Sequence, residues 1–407
     1  MDETRYDPAA LIAHYRRIAA DSSGSGARTE TAGGGSFEGD GGGGNFDEYL
    51  RETRFQLREI VRNHLGNDPE LVEIADQIVT AGEPAVRALS ERDEGALADP
   101  QQLRALEVIV ASDGSRPSFL VRRGIPDLTT SLVGKWRLTM EDQRDGLEAA
   151  LKCVGRIDDP SSPIGYWGTG SLIASNVVLT NRHVLQKIAS QGEGATWRLK
   201  AGVCIDFGHE WRARDSIGRR EITGVLFAGA HAIPERTVDL SLPDVALLAL
   251  GTPAGAETSS RPLKLDIAPD WDDPAQGLFI AGYPGRPDDD KYEPSLLERL
   301  FKSTYGRKRI APGHVMTRAS TLAKSPKGWS IAHDATTLGG NSGSAILVIG
   351  RTDRAAGLHF GGRHQPPREN WAHVLGRLLD ERDGSSGRSL REVLTEHDVE
   401  LVDGGNV

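Results

Sequence analysis

The chain has 407 residues and a formal net charge of −10, and hydrophobic residues make up 38% of it. This length exceeds one ordinary domain, so two folded units plus flexible segments are expected. No long run of Lys and Arg occurs. Nucleic acid is therefore not expected as a partner, because proteins that follow a phosphate backbone show a basic face. No apolar run approaches the roughly 18 residues that span a bilayer, so no membrane span is expected.

Two observations predict a cytoplasmic location. The N-terminal sequence MDETRYDPAALIAHYRR lacks the charged-then-apolar pattern of a secretory signal. Cys153 and Cys204 are the only cysteines, and two cysteines make no disulfide framework. One bridge between them stays open as an alternative, but a reducing compartment is the better interpretation.

The N-terminal third of the chain is expected to be helical or unstructured. Residues 7–19 favour a short amphipathic helix, and residues 22–44 form a Gly/Ser-rich linker with almost nothing to bury. Apolar residues then recur at three- and four-residue spacings, which predicts several helices. We therefore assign residues 1–45 to a short helix with a disordered linker, and residues 46–140 to a small, mostly helical accessory or regulatory domain.

The character of the sequence changes near residue 151. From there to about residue 375, short β-type runs alternate with Gly, Pro and Asp turns. Regular spacing of such runs predicts a barrel or a sandwich. Two short strands around an Asp-Gly turn are also predicted earlier, within residues 106–124. The fold class expected is mainly β, preceded by the small helical domain.

The β domain is assigned to residues 141–380, and residues 381–407 to a C-terminal tail. Helical patterns predict an insert at residues 293–301 within the domain and a short helix at residues 389–397 within the tail.

Three segments of the β domain carry residues suited to acyl transfer from a peptide. This chemistry requires a hydroxyl nucleophile, an imidazole that takes its proton, and a carboxylate that orients the imidazole. It also requires backbone N–H groups directed at the developing oxyanion. Each segment has an ordinary structural interpretation as well, so the hypothesis depends on their joint occurrence.

The first segment supplies an imidazole. Residues 168–184 read GTGSLIASNVVLTNRHV, which predicts a hairpin whose second strand ends just before His183. The ring would lie just past a buried strand, where the loops of a barrel gather. Taken alone, a histidine beside a valine is more often structural.

The second segment supplies a carboxylate. Asp244 precedes the apolar run VALLAL and is expected at the start of a buried strand. A buried carboxylate needs a partner, because an isolated charge there is strongly disfavoured. A turn or strand-capping role is the alternative. Asp239 is the nearest competitor, but the residues after it make a poorer buried strand.

The third segment supplies a hydroxyl. Ser342 lies within the sequence GGNSG, a turn before a strand whose glycines permit unusual dihedral angles and close approach of the backbone. Such a loop can direct the N–H groups of Gly340 and Ser342 into one anion-binding concavity. A simple Gly-rich hairpin would look similar.

The joint pattern is much more specific than its parts. The order His, Asp, Ser differs from the Ser, Asp, His order of α/β-hydrolases, and the sequence around the serine does not fit their G-x-S-x-G pattern. The segments GTGSLI…VVLTNRHV, PDVALLAL, GYPG and TLGGNSGSAI…GLHFGG resemble trypsin-like peptidases of the glutamyl endopeptidase (V8-like) branch. The similarity covers about residues 150–375.

This resemblance implies a chymotrypsin-like fold of two six-stranded β-barrels with a catalytic triad in the cleft between them. Carried over by motif, His183 is the general base, Asp244 orients it and Ser342 is the nucleophile. The amides of Gly340 and Ser342 form the oxyanion hole. No cofactor and no metal ion is expected.

The resemblance also implies a substrate preference at the residue before the scissile bond, called P1. Where a basic P1 is preferred, an acidic residue lies six places before the nucleophile, and this chain has Thr336 there. In the glutamyl branch, a Thr five places before the nucleophile and a His in the later strand hold the substrate carboxylate, and Thr337 and His359 match these positions. The alternative is that His359 only fills a strand.

The sequence therefore predicts a serine endopeptidase with a preference for Glu at P1. The alternatives are a binding or scaffold protein on a protease fold and an esterase that uses the same triad. The partners expected for the endopeptidase are a protein or peptide substrate and a regulatory protein bound by the N-terminal domain. The architecture suggests an intracellular bacterial protease of regulation or defence.

One departure from the glutamyl branch concerns the N-terminus. Those enzymes use a processed N-terminal amine near the pocket, whereas some 140 residues precede the domain here. Three alternatives stay open: the helical domain takes the place of that amine, cleavage of the chain releases a new N-terminal amine, or the pocket binds the substrate side chain more weakly.

Overall fold

The computed structural model describes most of the chain from Arg116 to Asp403 and a few helical residues between positions 73 and 84. Within residues 116–403, the gaps are residues 130–135, 193–195, 213–217, 236, 253–260, 275, 286–303 and 364–368. Several predictions lie outside the described residues: the helix at 7–19, the linker at 22–44, the Asp-Gly turn, the insert at 293–301 and most of the accessory domain. The division into domains stays a prediction.

A hairpin and two helices precede the first barrel. β1 (Phe119–Arg122) and β2 (Ile125–Pro126) pair across a turn at Arg123 and Gly124, both with positive φ. Two helices follow, α1 (Trp136–Asp142) and α2 (Arg144–Cys153). β1 also pairs with a strand of the second barrel, so these residues of the predicted accessory segment join the β sheet.

The first barrel is a closed ring of six antiparallel strands in the order β10-β5-β4-β3-β8-β9. A short helix follows β5, and two short strands pair outside the ring. The elements are β3 (Val154–Asp158), β4 (Tyr166–Ala174), β5 (Val177–Thr180), α3 (Arg182–Ile188), β6 (Ala189–Gln191), β7 (Trp197–Leu199), β8 (Cys204–Asp206), β9 (Arg219–Phe227) and β10 (Ala246–Leu250).

The strands of the second barrel follow the order β12-β15-β17-β18-β14-β13, and β13 pairs with β12, which closes the ring. β11 lies outside it, in a small parallel sheet with β16 and β19. The elements are β11 (Lys264–Asp266), β12 (Gly277–Gly282), β13 (Arg309–Thr317), β14 (Ser330–His333), β15 (Ala345–Val348), β16 (Arg354–Ala355), β17 (Gly357–Arg363), β18 (Glu369–Val374), a 3-10 turn (Leu375–Arg377), α4 (Leu390–Glu396) and β19 (Leu401–Val402).

The apolar runs of the sequence become the buried faces of these barrels. β5 and β15 are buried at every position, as expected for strands covered on both sides. The predicted C-terminal helix is confirmed as α4, with Ser389 as N-cap and Glu392 closing a capping box. The mainly β double-barrel fold is likewise confirmed. Within the part of the chain that the structure describes, no helix has the length and apolar character needed to cross a membrane.

Candidate active site

His183 and Asp244 meet at two points in the first barrel. The backbone N–H of His183 donates to Asp244 Oδ1 at 2.9 Å, and the ring Nδ1 lies 2.5 Å from Oδ2. The Asp244 side chain is 5% exposed, whereas that of His183 is 28% exposed. The buried carboxylate therefore fixes the imidazole in orientation and leaves its other nitrogen, Nε2, for a reacting group.

Strand register explains this meeting. Ala246 of β10 pairs with Thr180 of β5, so the segment before β10 lies beside the segment after β5. Asn181, between β5 and His183, donates from its side chain to the Asp244 carbonyl at 2.7 Å. Residues on both sides of the α3 start thus hold Asp244.

Behind Asp244 lies a second histidine. The Asp244 N–H donates to His373 Nε2 at 2.9 Å, and His373 Nδ1 lies 3.1 Å from the Ser330 hydroxyl. His373 is fully buried, and burial lowers its pKa from the usual value to about 4. Because it is neutral, it accepts from the Asp244 backbone without adding a charge next to the carboxylate.

Arg182, the residue before His183, is clamped to a loop of its own barrel. Its guanidinium donates to the carbonyls of Ala228 and Gly229. Burial lowers the pKa of Arg182, while Asp383 and Asp244 oppose this shift. Asp383 in turn accepts the Ala228 N–H at 2.9 Å, so a residue of the predicted C-terminal tail secures the same loop.

The competing carboxylate is placed differently. Asp239 is exposed, and its Oδ1 accepts from the N–H and the hydroxyl of Ser241 in a local turn. It contacts neither His183 nor Ser342 by a hydrogen bond among the described residues. This arrangement favours Asp244 as the orienting carboxylate.

The Ser342 loop reaches the His183 helix across Gly168. The Thr169 N–H of β4 donates to the Ser342 carbonyl at 2.8 Å. A Cβ on Gly168 would lie 2.9 Å from that carbonyl and 2.8 Å from a methyl of Val184, next to His183. Absence of a side chain at this position therefore lets the two loops approach across the barrel interface.

The predicted oxyanion-hole residues lie in a loop of left-handed backbone. Gly340 and Gly343 have φ of 94° and 87°, which favour glycine. Among the described residues, neither the Gly340 nor the Ser342 amide donates a hydrogen bond to another atom of the chain.

Thr337 is buried and bonded to a residue that the sequence did not single out. Its hydroxyl donates to Asn370 Oδ1 at 2.7 Å, and Asn370 Nδ2 donates to the Ala335 carbonyl at 2.9 Å. The second bond fixes which end of the amide faces Thr337.

His359 is buried and lies against another histidine. Its Nδ1 is 3.2 Å from His333 Nε2, and the two rings meet edge to face. Burial holds the pKa of His359 well below its usual value, and nearby His333 and His183 lower it further. The ring is therefore neutral near neutral pH, so it could contact a substrate side chain through a hydrogen bond but not as a cation.

A cavity of about 220 Å³ opens beside His183. Its wall includes Asp244 and residues 233–235 and 237–239 of the first barrel and Phe360 of the second. The cavity therefore lies where the barrels face each other, next to the imidazole.

Three participating residues were missed from the sequence. Asn370 and His373 are buried polar residues of β18. A polar residue at a strand position that faces the core indicates a hydrogen-bonding role, because buried polar groups are almost always hydrogen-bonded. Thr169 was part of a quoted motif, but its hydroxyl between two glycines was given no role.

Two comparisons with known proteins identify the family. Residues 168–358 match the family of trypsin-like peptidase domains. A protein of Lysobacter enzymogenes named "Probable serine protease" is 30% identical over 286 residues, which cover 63% of this chain and 70% of that protein. The chain therefore belongs to the trypsin-like serine peptidases. It is a hydrolase whose substrates are proteins or peptides.

Two solved structures are similar over most of their own length. One is Rv3671c protease in an inactive form, with a TM-score of 0.34 and 15% identity, covering 64% of this chain and 96% of that chain. The other is an inactive mutant of Rv3671c from M. tuberculosis H37Rv, with a TM-score of 0.35 and 17% identity, covering 60% and 90%.

Proposed function

We propose that the protein is a serine endopeptidase with His183, Asp244 and Ser342 as its catalytic triad. The observation that carries this proposal is the two-point contact between Asp244 and His183, because it holds the ring in the tautomer that can accept a proton at Nε2. The serine loop lies on the other side of Gly168, within reach of the same helix.

In the proposed reaction, these residues act in sequence. Ser342 Oγ attacks the scissile carbonyl carbon while its proton passes to His183 Nε2. The carbonyl oxygen becomes an oxyanion and accepts hydrogen bonds from the Gly340 and Ser342 amides. His183 returns the proton to the leaving amine, which leaves an acyl-enzyme on Ser342. Water, deprotonated by His183, hydrolyses that ester and restores the enzyme.

A fluorophosphonate probe tests the nucleophile directly. The wild-type chain should be labelled on Ser342, and Ser342→Ala should be neither labelled nor active. Ser342→Ala and His183→Ala should each lower kcat by on the order of 10⁴ or more while leaving the fold intact. A folded Ser342→Ala variant that still cleaves peptides would refute the assignment.

A scaffold protein on a decayed protease fold is the alternative without activity. Decay of this kind usually removes a triad residue, and all three are present here. An esterase is the alternative with the same chemistry, and the ratio of peptide to ester turnover separates it from a peptidase.

At P1 we propose a preference for Glu, with Thr337 and His359 contacting the side-chain carboxylate. Both side chains are buried in the second barrel, on the side of the nucleophile loop: the Gly343 N–H donates to the His359 carbonyl at 2.9 Å. The neutral imidazole would act as an N–H donor and not as a cation.

A second P1 candidate is Gln, and the Thr337–Asn370 bond favours it. Thr337 gives its only hydroxyl proton to Asn370, whose orientation is fixed by the Ala335 carbonyl. The hydroxyl then offers lone pairs to a substrate, which suit the N–H₂ of an amide better than a carboxylate. Turnover of a peptide library with Glu, Gln and Leu at P1 decides between a preference for Glu, a preference for Gln and no preference.

We further propose that the protein acts inside the cell and that residues 46–140 bind a regulatory partner. Both cysteines are unpaired and buried, which is consistent with a reducing compartment. Burial raises the pKa of Cys153 to about 11, so its thiol is unreactive. Pull-down with and without residues 1–115 tests the partner, because β1 and the residues after it pack against the second barrel and must be kept.

A further inference from the structure

The loop that carries the oxyanion-hole residues is fixed from two sides by residues with no assigned role. One side is Thr169 of β4, in the first barrel. The other is the turn Tyr283–Gly285, which follows β12 in the second barrel.

The first fixed point is the peptide unit between Gly339 and Gly340. The Gly285 N–H donates to the Gly339 carbonyl. In a planar trans peptide, the carbonyl and the following N–H point in opposite directions. Holding the Gly339 carbonyl toward Gly285 therefore directs the Gly340 N–H away from the Tyr283–Gly285 turn. A Cβ on Gly340 would lie 2.5 Å from the Tyr283 carbonyl, so the contact is close.

The second fixed point is the peptide unit that follows Gly340. The Thr169 hydroxyl donates to the Gly340 carbonyl at 2.9 Å and accepts the Tyr283 N–H at 3.1 Å. The direction of both bonds is certain, because a carbonyl only accepts and an amide N–H only donates. Thr169 is fully buried, so water does not replace this hydroxyl if it is removed.

The backbone of Thr169 provides a third contact, to the nucleophile itself. Its N–H donates to the Ser342 carbonyl at 2.8 Å. One residue thus contacts both amino acids whose amides are to bind the oxyanion, and it links them to the first barrel.

We propose that Thr169 is a positioning residue of the oxyanion hole, acting together with the Tyr283–Gly285 turn. This proposal rests on the proposed function, since it requires that Gly340 and Ser342 bind the oxyanion. The Thr169 hydroxyl keeps the loop in the conformation that presents the Gly340 amide. An amide already in place stabilises the oxyanion without reorganisation during the reaction.

Thr169→Val and Thr169→Ser test the proposal in the full-length chain. Valine keeps the shape and removes the hydroxyl, so kcat should fall by about 10- to 100-fold, less than the 10²–10³ for loss of a whole oxyanion donor. KM should stay within about threefold of wild type. Serine keeps the hydroxyl and should restore most of kcat.

A peptide aldehyde provides a second measurement, because it binds as a tetrahedral adduct and reports on the oxyanion hole. Its affinity should fall in Thr169→Val by the same factor as kcat, while a non-reactive peptide of the same sequence keeps its affinity. A purely structural role would not separate the two ligands.

Thr180→Val is the matched control. Thr180 is equally buried, and its hydroxyl donates to the Thr169 carbonyl at 2.7 Å without touching Gly340. Both valine variants should lower the melting temperature, but only Thr169→Val should lower kcat and aldehyde affinity. Equal effects of the two variants on kcat would overturn the proposal.

If Thr169→Val does not fold, Gly285→Ala decides. A Cβ at Gly285 would lie 2.8 Å from the Gly339 carbonyl, so the first fixed point is displaced and kcat should fall. Gly224→Ala, where the nearest side-chain atom lies 3.6 Å away, is its control. Wild-type kcat in Gly285→Ala would refute the proposal, whereas peptide cleavage by Ser342→Ala would refute the proposed function instead.

Discussion

The histidines of the two barrels are set in opposite surroundings. His183 of the first barrel is partly exposed and contacts a buried carboxylate at 2.5 Å. His359 of the second barrel is buried and contacts the ring of His333 at 3.2 Å. A proton on His183 is balanced by Asp244, whereas a proton on either ring of the second pair would be a buried charge beside another basic group.

The electrostatic consequence differs accordingly. Burial lowers the pKa of His333 to about 4 and holds that of His359 well below its usual value. These two rings remain neutral and can only make hydrogen bonds. A carboxylate partner and an exposed edge therefore distinguish the surroundings of the candidate general base, His183, from those of the candidate pocket residue, His359.

The largest loss of activity is expected from removing the Asp244 carboxylate that contacts His183. Asp244→Asn keeps the shape but can present an N–H₂ to His183, which favours the wrong tautomer, so kcat should fall by on the order of 10⁴. Steady-state kinetics on a peptide substrate measures this change. The matched control is Asp239→Asn, an exposed carboxylate near the same cavity, which should stay close to wild type. Sensitivity of Asp239 in place of Asp244 would reverse our assignment.

The next effect concerns stability against pH. The folded-state pKa of His333 and of His373 is about 4, below the unfolded value of about 6.5, so between these values the unfolded chain binds more protons. The free energy of unfolding should therefore decrease as the pH falls from 7 to 5, by on the order of 2 kcal/mol for each histidine. Urea unfolding at both pH values measures it.

Variants assign that pH dependence to the buried rings. His333→Gln removes one titrating group and should reduce the difference between pH 7 and pH 5. His231→Gln, at an exposed position, should leave the difference unchanged. An equal pH dependence in His333→Gln and wild type would show that His333 is not held neutral.

The smallest effect is expected at the P1 pocket. His359→Ala should reduce the ratio of Glu to Leu turnover by at least about tenfold, because it removes a polar contact to the side chain. The ratio in the wild-type enzyme should not change between pH 6 and pH 8, because the ring is already neutral in this range. An unchanged ratio in His359→Ala would leave His359 as a residue that only fills a strand.

The sequence predicted the double barrel and the positions of His183 and Asp244 because both depend on short, ordered signals. Apolar runs define strands, and His183 and Asp244 lie at the ends of two strands that pair in register. It could not predict the partners of Thr337 and His359. Asn370 and His333 come from strands far along the chain, and strand pairing alone places them there.

The N-terminal boundary illustrates the same limit. A strand was predicted within residues 106–124, but these residues were assigned to the accessory domain because no local pattern shows which sheet a strand joins. The structure pairs them with β13, almost two hundred positions away. Only this long-range contact, absent from local patterns, shows that the strand belongs to the second barrel.

The hydrogen bond from the Ala228 N–H to Asp383 has a practical consequence for preparing fragments of this protein. The matched family region ends at residue 358, before β18 closes the second barrel and before Asp383. A fragment cut there would leave the buried Arg182 with one carboxylate fewer and would remove β19, a neighbour of β11. Recombinant peptidase should therefore extend at least to Val402. A shorter version would yield an inactive preparation for reasons unrelated to the triad.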